Sequence, residues 1–157
     1  MLLSKFKSNN LWLIAPSASK IWFLFPLLYT LLIQILTGIP KPSTLRERSA
    51  DDLLIQFAEE IFDYPYWLQD ISHYPLFFLL AWLWSWFFQR KKGPRLSTFC
   101  LPVFLSLSYA IFNELAQFFI PQRFPSFGDL AMNLMGVTSA LILHRKAFKN
   151  HLGRCAR

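Results

Sequence analysis

The chain has 157 residues, 54% of them hydrophobic, 18% aromatic and 16% charged, with a formal net charge of +7. That composition is too apolar for an ordinary soluble domain or a disordered segment. The basic excess sits in blocks that flank apolar runs, without base-stacking aromatics between them, so nucleic acid is excluded as the partner.

Four runs in chain order, 21–37, 71–88, 98–120 and 127–143, have the roughly 17 to 23 residues that cross a bilayer core of about 30 Å. Unpaired backbone is too costly in lipid, and the runs lack the alternation of a barrel strand, so they read as helices. Pro26, Pro75 and Pro102 fall in the first turns of three of these runs, where a missing N–H is tolerated. No small-x-small cleavage site follows the first run, and it reads as a signal anchor.

Between the first two runs, Leu54, Phe57, Ala58 and Ile61 recur at helical spacing, and Ser49 stands three residues before Asp52 in a capping-box variant. This predicts a short amphipathic helix, an ordinary solvated connector. Trp82, Trp84 and Trp86 near the end of the second run read as an interfacial belt with core packing. Twelve of the sixteen Lys and Arg precede the first span, fill the loop between the second and third, or form the tail. The positive-inside rule then makes both termini cytoplasmic and turns 38–70 and 121–126 outward. Cys100 and Cys155 fall on the reducing side without neighbouring ligands and predict neither a disulfide nor a metal site. The whole chain, 1–157, reads as one all-α integral membrane domain with four transmembrane helices and an outer amphipathic helix.

The third span carries Ser106, Ala110, Asn113 and Gln117, and the fourth carries Asp129, Asn133, Gly136 and Ala140. Both sets follow offsets of 0, 4, 7 and 11, which draws one polar or small stripe on each helix. A six-residue connection makes the two helices an antiparallel hairpin, with the stripes expected to face each other. Glu114 lies beside Gln117, roughly 9 Å below the end of the span. A carboxylate at that depth asks for a partner or a water-filled cavity. Asp70 and His73, three residues apart, open the second span at the same end. The expected ligand-binding constellation is Asp70, His73, Glu114, Gln117, Arg123, Asp129 and Asn133. Bland alternatives stand beside it. Ser126 and Asp129 fit a capping box, Arg123 can reach lipid phosphate as readily as Glu114 or Asp129, and the amides serve as interhelical hydrogen-bond glue. No second His lies near His73, so no metal is expected there.

Residues 113–136 resemble the signature of the VanZ-like family of small bacterial membrane proteins. The pattern of a Glu, a Gln three on, a Pro-x-Arg turn, a Ser-x-x-Asp start and an Asn followed by Gly falls on Glu114, Gln117, Pro121, Arg123, Ser126, Asp129, Asn133 and Gly136. The family's Asp-Lys-x-x-His motif is partly kept as Asp70 and His73, with Ile71 in place of Lys. Gln122 replaces a common turn Gly, and Ala140 a second small Gly. The resemblance implies a multi-pass protein of the bacterial inner membrane and cell envelope, in a family associated with resistance to the glycopeptide teicoplanin and without an agreed catalytic activity. It implies no cofactor. The expected partners are membrane lipids, a lipid-linked envelope precursor or another membrane protein. The favoured function is a non-enzymatic one, with the outer cluster binding a lipid-linked or surface ligand or organising a membrane complex. The alternative is an enzyme using Glu114, Asp129 and His73 as acid and base on an envelope precursor.

Overall fold

The computed structural model describes residues 19–89 and 96–155, and every regular element among them is helical. A 3-10 turn, Lys20–Phe23, opens into α1 (Leu24–Gly38). Two short helices follow, α2 (Pro42–Glu47) and α3 (Asp52–Phe62). Three long helices complete the chain: α4 (Tyr66–Phe88), α5 (Leu96–Gln117) and α6 (Phe127–Cys155). The lysines and arginines at positions 5, 7, 90, 91, 92, 95 and 157, on which the inside-outside count leans, lie outside the described residues.

Three of these segments are long and apolar enough to cross a membrane: Lys20–Gly38, Trp67–Phe88 and Phe127–Asn150. Helix α5 has the length for a fourth, with 22 residues, but its final turns carry Asn113, Glu114 and Gln117, and all three are buried inside the bundle. The distribution of polarity is the reverse of a soluble domain. His73, Ser106, Asn113, Glu114, Gln117 and Asn133 are buried, while Phe25, Leu28, Ile35, Phe104, Phe112 and Leu115 point outward. An exterior of that kind is stable against lipid tails and would associate in water.

Helix α6 packs chiefly against α4, with α5 against both and α1 closing the bundle on α4 and α5. The core is built from Ile33 of α1, Phe77, Leu80, Ala81 and Trp84 of α4, Ala110 of α5, and Val137, Ala140 and Leu141 of α6. The stripes of the third and fourth spans meet, as expected, where Asn133 reaches Glu114, but the α6 stripe also packs on α4. Gly136 faces α4, where an added Cβ would stand 2.4 Å from the Tyr74 carbonyl oxygen and 2.9 Å from the Phe78 nitrogen. The small stripe therefore brings two backbones together, while Asn133 one turn earlier reaches both neighbouring helices.

Boundaries shift for local reasons. α4 begins at Tyr66, behind Pro65 at its N-cap, so Pro75 lies inside the helix rather than in its first turn. Pro102 is likewise internal, because α5 starts at Leu96. Each proline removes one amide from the ladder, a loss tolerated where neighbouring helices hold the segment in place. Helix α6 runs twelve residues past the expected end of the apolar run, carrying the basic tail on the same rod. Trp84 and Trp86 are buried and stack edge-on with Phe23 and Trp22, which gives them the expected core packing and joins the opening 3-10 turn to α4.

The connector helix is present, but Asp51 caps it, its side chain accepting from the Leu53 amide at 2.9 Å. Ser49 takes a positive φ of 51° in the preceding turn and has no capping role. α2 and α3 form a small unit of their own, with Ile39, Leu45 and Ala58 at its centre and an exposed Arg46–Glu59 ion pair. It is more than a solvated connector. Ile61 and Phe62 at its end form part of a cavity wall.

Candidate functional site

At the end of the bundle where α5 hands over to α6, a cavity of about 690 Å³ opens between α1, α3, α4 and the α5–α6 turn. Leu36, Ile61, Phe62, Leu68 and Leu76 supply an apolar wall, and Lys41, Asp70, His73, Gln117, Arg123 and Asp129 supply charge and hydrogen-bonding groups. Five of the seven residues in the expected constellation line this space. Glu114 and Asn133 are buried and lie behind it.

Each helix contributes a pair at helical spacing: Asp70 and His73 on α4, Glu114 and Gln117 on α5, Asp129 and Asn133 on α6. The start of α6 is fixed by Ser126, whose hydroxyl accepts from the amides of Gly128 at 3.1 Å and Asp129 at 3.4 Å. The serine thus caps the helix, and the Asp129 carboxylate is turned to the cavity, with Oδ1 3.8 Å from His73 Nε2. Gly128 leaves room for Asp70. A Cβ there would meet the Asp70 carboxylate oxygen at 3.0 Å. Two carboxylates therefore flank the N-terminus of α6, where the helix dipole favours negative charge.

Behind them runs a hydrogen-bonded chain. Asn133 Nδ2 donates to Glu114 Oε1 at 2.7 Å, which turns Asn133 Oδ1 toward His73 Nδ1, 3.0 Å away. An amide oxygen only accepts, so this places a proton on Nδ1 and leaves Nε2 facing Asp129. On the far side Asn113 Nδ2 reaches the same Glu114 oxygen at 3.5 Å, and Asn113 Oδ1 accepts from the Thr37 hydroxyl at 2.7 Å. All four long helices are thereby linked through polar side chains, with Glu114 at the centre. Within this cluster Glu114 Oε2, Gln117 Nε2 and Asp129 Oδ1 are buried without a hydrogen-bond partner.

Arg123 pairs with neither acid. Its Nε donates to the Ile39 carbonyl at 3.3 Å, and its guanidinium lies 4.4 Å from the centre of the Phe62 ring. Burial pulls the guanidinium below its ordinary pKa, while the fields of Asp129 and Glu114 oppose that shift. The group remains a cation. The partner of Glu114 is Asn133, a short-range choice made possible because the α5 and α6 stripes meet at this level.

Two of the sequence departures, one in the α5–α6 turn and one on α4, have local explanations. Gln122 has a φ of 61°, a region that favours glycine, and its side chain is held by the Ser43 hydroxyl of α2 at 2.6 Å. Ile71 is 46% exposed and is not among the residues that line the cavity. Lys41, Thr37 and Gln122 were absent from the expected constellation. They come from the end of α1, the start of α2 and the turn, and nothing in their local spacing shows that these segments converge.

Among the described residues no group of three or more His, Cys, Asp and Glu has the arrangement to hold a metal ion. The fold and the site together define a small helical membrane protein with a polar cavity at one end of its bundle. The VanZ/LLP1 family model matches residues 22–148, and the chain belongs to this family. No curated protein and no solved structure matches it.

Proposed function

We propose that the protein is a four-span component of the bacterial inner membrane, with both termini cytoplasmic, whose outward-facing cavity binds the phosphate-bearing head of a lipid or lipid-linked envelope molecule. The observation that carries this reading is the pairing, in one cavity, of an apolar wall with the cations Arg123 and Lys41. An amphiphile needs both surfaces. Arg123 suits a phosphate because its fork offers several donors while Phe62 stacks one face. Helix α5 serves as the fourth span, with its three polar residues buried inside the bundle and turned from lipid, and α3 covers the cavity from the outer side. A family association with teicoplanin points the same way, toward a lipid-linked step at the envelope surface.

The topology has a direct test. In a chain with Cys100 and Cys155 replaced by Ser, single cysteines at positions 50 and 150 are expected to give external labelling only at 50. The reverse pattern would put the cavity on the cytoplasmic side and end the reading.

Ligand binding is tested on the purified full chain by native mass spectrometry with short-chain phospholipids. Arg123→Gln is expected to lower retention of phosphate-bearing lipid about tenfold, the effect of losing a charge-assisted hydrogen bond of about 1.5 kcal/mol or more. Retention equal to that of the unchanged protein would remove the phosphate site.

One observation favours a second reading, the acid–base enzyme. The Glu114–Asn133–His73 chain fixes which imidazole nitrogen faces the cavity and sets it beside Asp129. A side chain oriented in that way can take a proton from a bound hydroxyl or water. Turnover of lipid-linked wall precursors by the purified protein, lost in His73→Gln, would establish it.

A further inference from the structure

The cavity holds opposite charges that do not neutralise each other. Neither Lys41 nor Arg123 forms an ion pair with Asp70 or Asp129, although all four line the same space. Arg123 is held away by the Ile39 carbonyl and the Phe62 ring. Asp70 instead lies against Gly128 at the start of α6, next in sequence to Asp129, and both acids line the cavity. Two adjoining carboxylates repel unless a cation or a shared proton intervenes, and Asp129 Oδ1 has no hydrogen-bond partner.

A second, independent feature points to a ligand. Gln117 is 2% exposed, lines the cavity, and its Nε2 donor is unpartnered. A buried amide donor without an acceptor keeps its full desolvation penalty, and so does a buried acceptor without a donor. One ligand group cannot satisfy both, because Gln117 asks for an acceptor and Asp129 for a donor.

We infer that the headgroup bound here carries a primary ammonium as well as a phosphate, as in a phosphoethanolamine-type zwitterion. The ammonium sits between Asp70 and Asp129, donating to the free Oδ1, and the phosphate oxygens accept from Arg123, Lys41 and the Gln117 amide. Acyl chains leave along the apolar wall. The inference rests on the reading of the cavity as a site for phosphate-bearing lipid and adds the chemistry of the second pole. A quaternary ammonium keeps the charge but has no N–H to donate, and a glycerol head has hydroxyls but no charge, so the site discriminates against both.

The test uses the full chain in detergent and native mass spectrometry with dihexanoyl phosphatidylethanolamine, phosphatidylcholine and phosphatidylglycerol. The ethanolamine lipid is expected to be retained about tenfold more strongly than the other two, the value of a charge-assisted hydrogen bond. Asp70→Asn should erase that preference while leaving retention of phosphatidylglycerol in place. Equal retention of all three lipids, lowered together by Arg123→Gln, overturns the amine assignment and leaves the phosphate site standing. Choline binding equal to ethanolamine binding also overturns it, by removing the role of the N–H donors. Weak retention of all three that Arg123→Gln does not change overturns both readings. The lipid comparison is made on the unaltered protein, so it decides the matter even where a variant fails to fold.

Discussion

Gly136→Ala is expected to destabilise the bundle by about 1–3 kcal/mol, and Gly136→Val to prevent accumulation in the membrane. The reason is the closeness of α4 and α6. A methyl at position 136 would stand 2.4 Å from the Tyr74 carbonyl oxygen and 2.9 Å from the Phe78 nitrogen, and backbone atoms cannot swing aside as a flexible side chain would. The helices must part by roughly 1 Å to restore van der Waals separation. In a membrane, where helix association depends on such packing, that separation is a direct loss. It also reaches the cavity. Asn133 is one turn away, and moving α6 from α4 stretches its 3.0 Å contact with His73. Gly38 supplies the control, since a Cβ there meets nothing within 4 Å. Unfolding of both variants by SDS titration should show a lowered midpoint for Gly136→Ala and no change for Gly38→Ala. A wild-type midpoint for Gly136→Ala would mean that the two backbones are not in contact.

How much of this was legible in the sequence depended on whether a signal was local. The α5 and α6 stripes were legible because Asn113 and Gln117, or Asn133 and Gly136, sit at spacings that put them on one face of a single helix. Five members of the expected constellation do line one cavity. What the stripe could not reveal was its partner. The short connection over 118–126 makes α5 and α6 neighbours, but Gly136 packs on α4, because a residue without a side chain is used where two backbones come closest. Arg123 illustrates the same limit in electrostatics. Its spacing left an ion pair with either acid and a reach to lipid phosphate equally open, yet a neutral carbonyl and an aromatic ring hold the guanidinium, and both belong to segments distant in the chain. Asp129 had two readings, cap or site residue. The structure divides them, giving the capping to Ser126 and the cavity position to the carboxylate. Lys41 and Thr37 were missed because their place depends on where α1 ends against α5, a tertiary fact without a periodic trace. The capping of α3 failed for a smaller reason. Asp51 and Ser49 were both acceptable N-cap residues, and the turn that closes α2 put Ser49 at positive φ.

The Glu114–Asn133 bond carries the other large expected effect. Asn133→Leu keeps the bulk of the side chain but removes the donor 2.7 Å from Glu114 Oε1 and the acceptor facing His73. Glu114 Oε2 already lacks a partner, so the carboxylate would retain only the long contact from Asn113. Breaking a buried charged interaction on one side costs about 3–5 kcal/mol, because the remaining group is left uncompensated. Glu114→Gln behaves differently. It can still accept from Asn133, and removing the charge relieves part of the burial cost, so its stability should stay within about 1 kcal/mol of the unaltered protein. In the double variant the cost of Asn133→Leu should shrink by about 2 kcal/mol, since a neutral amide is cheaper to leave unpartnered than a carboxylate. The corresponding cycle between Glu114 and Arg123 should be additive within about 0.5 kcal/mol, as they make no direct contact. Strong coupling there and none with Asn133 would reverse the assignment of partners. Because Glu114→Gln preserves the scaffold, it also isolates the charge. Together with Asp129→Asn it is expected to accumulate at near-normal levels on a membrane immunoblot while failing to support an envelope phenotype such as glycopeptide susceptibility in the same cells. A scaffold role predicts the opposite coupling, with phenotype falling only as far as abundance falls. Full activity of both variants at normal abundance would make the acids structural and leave Arg123 as the working group of the cavity.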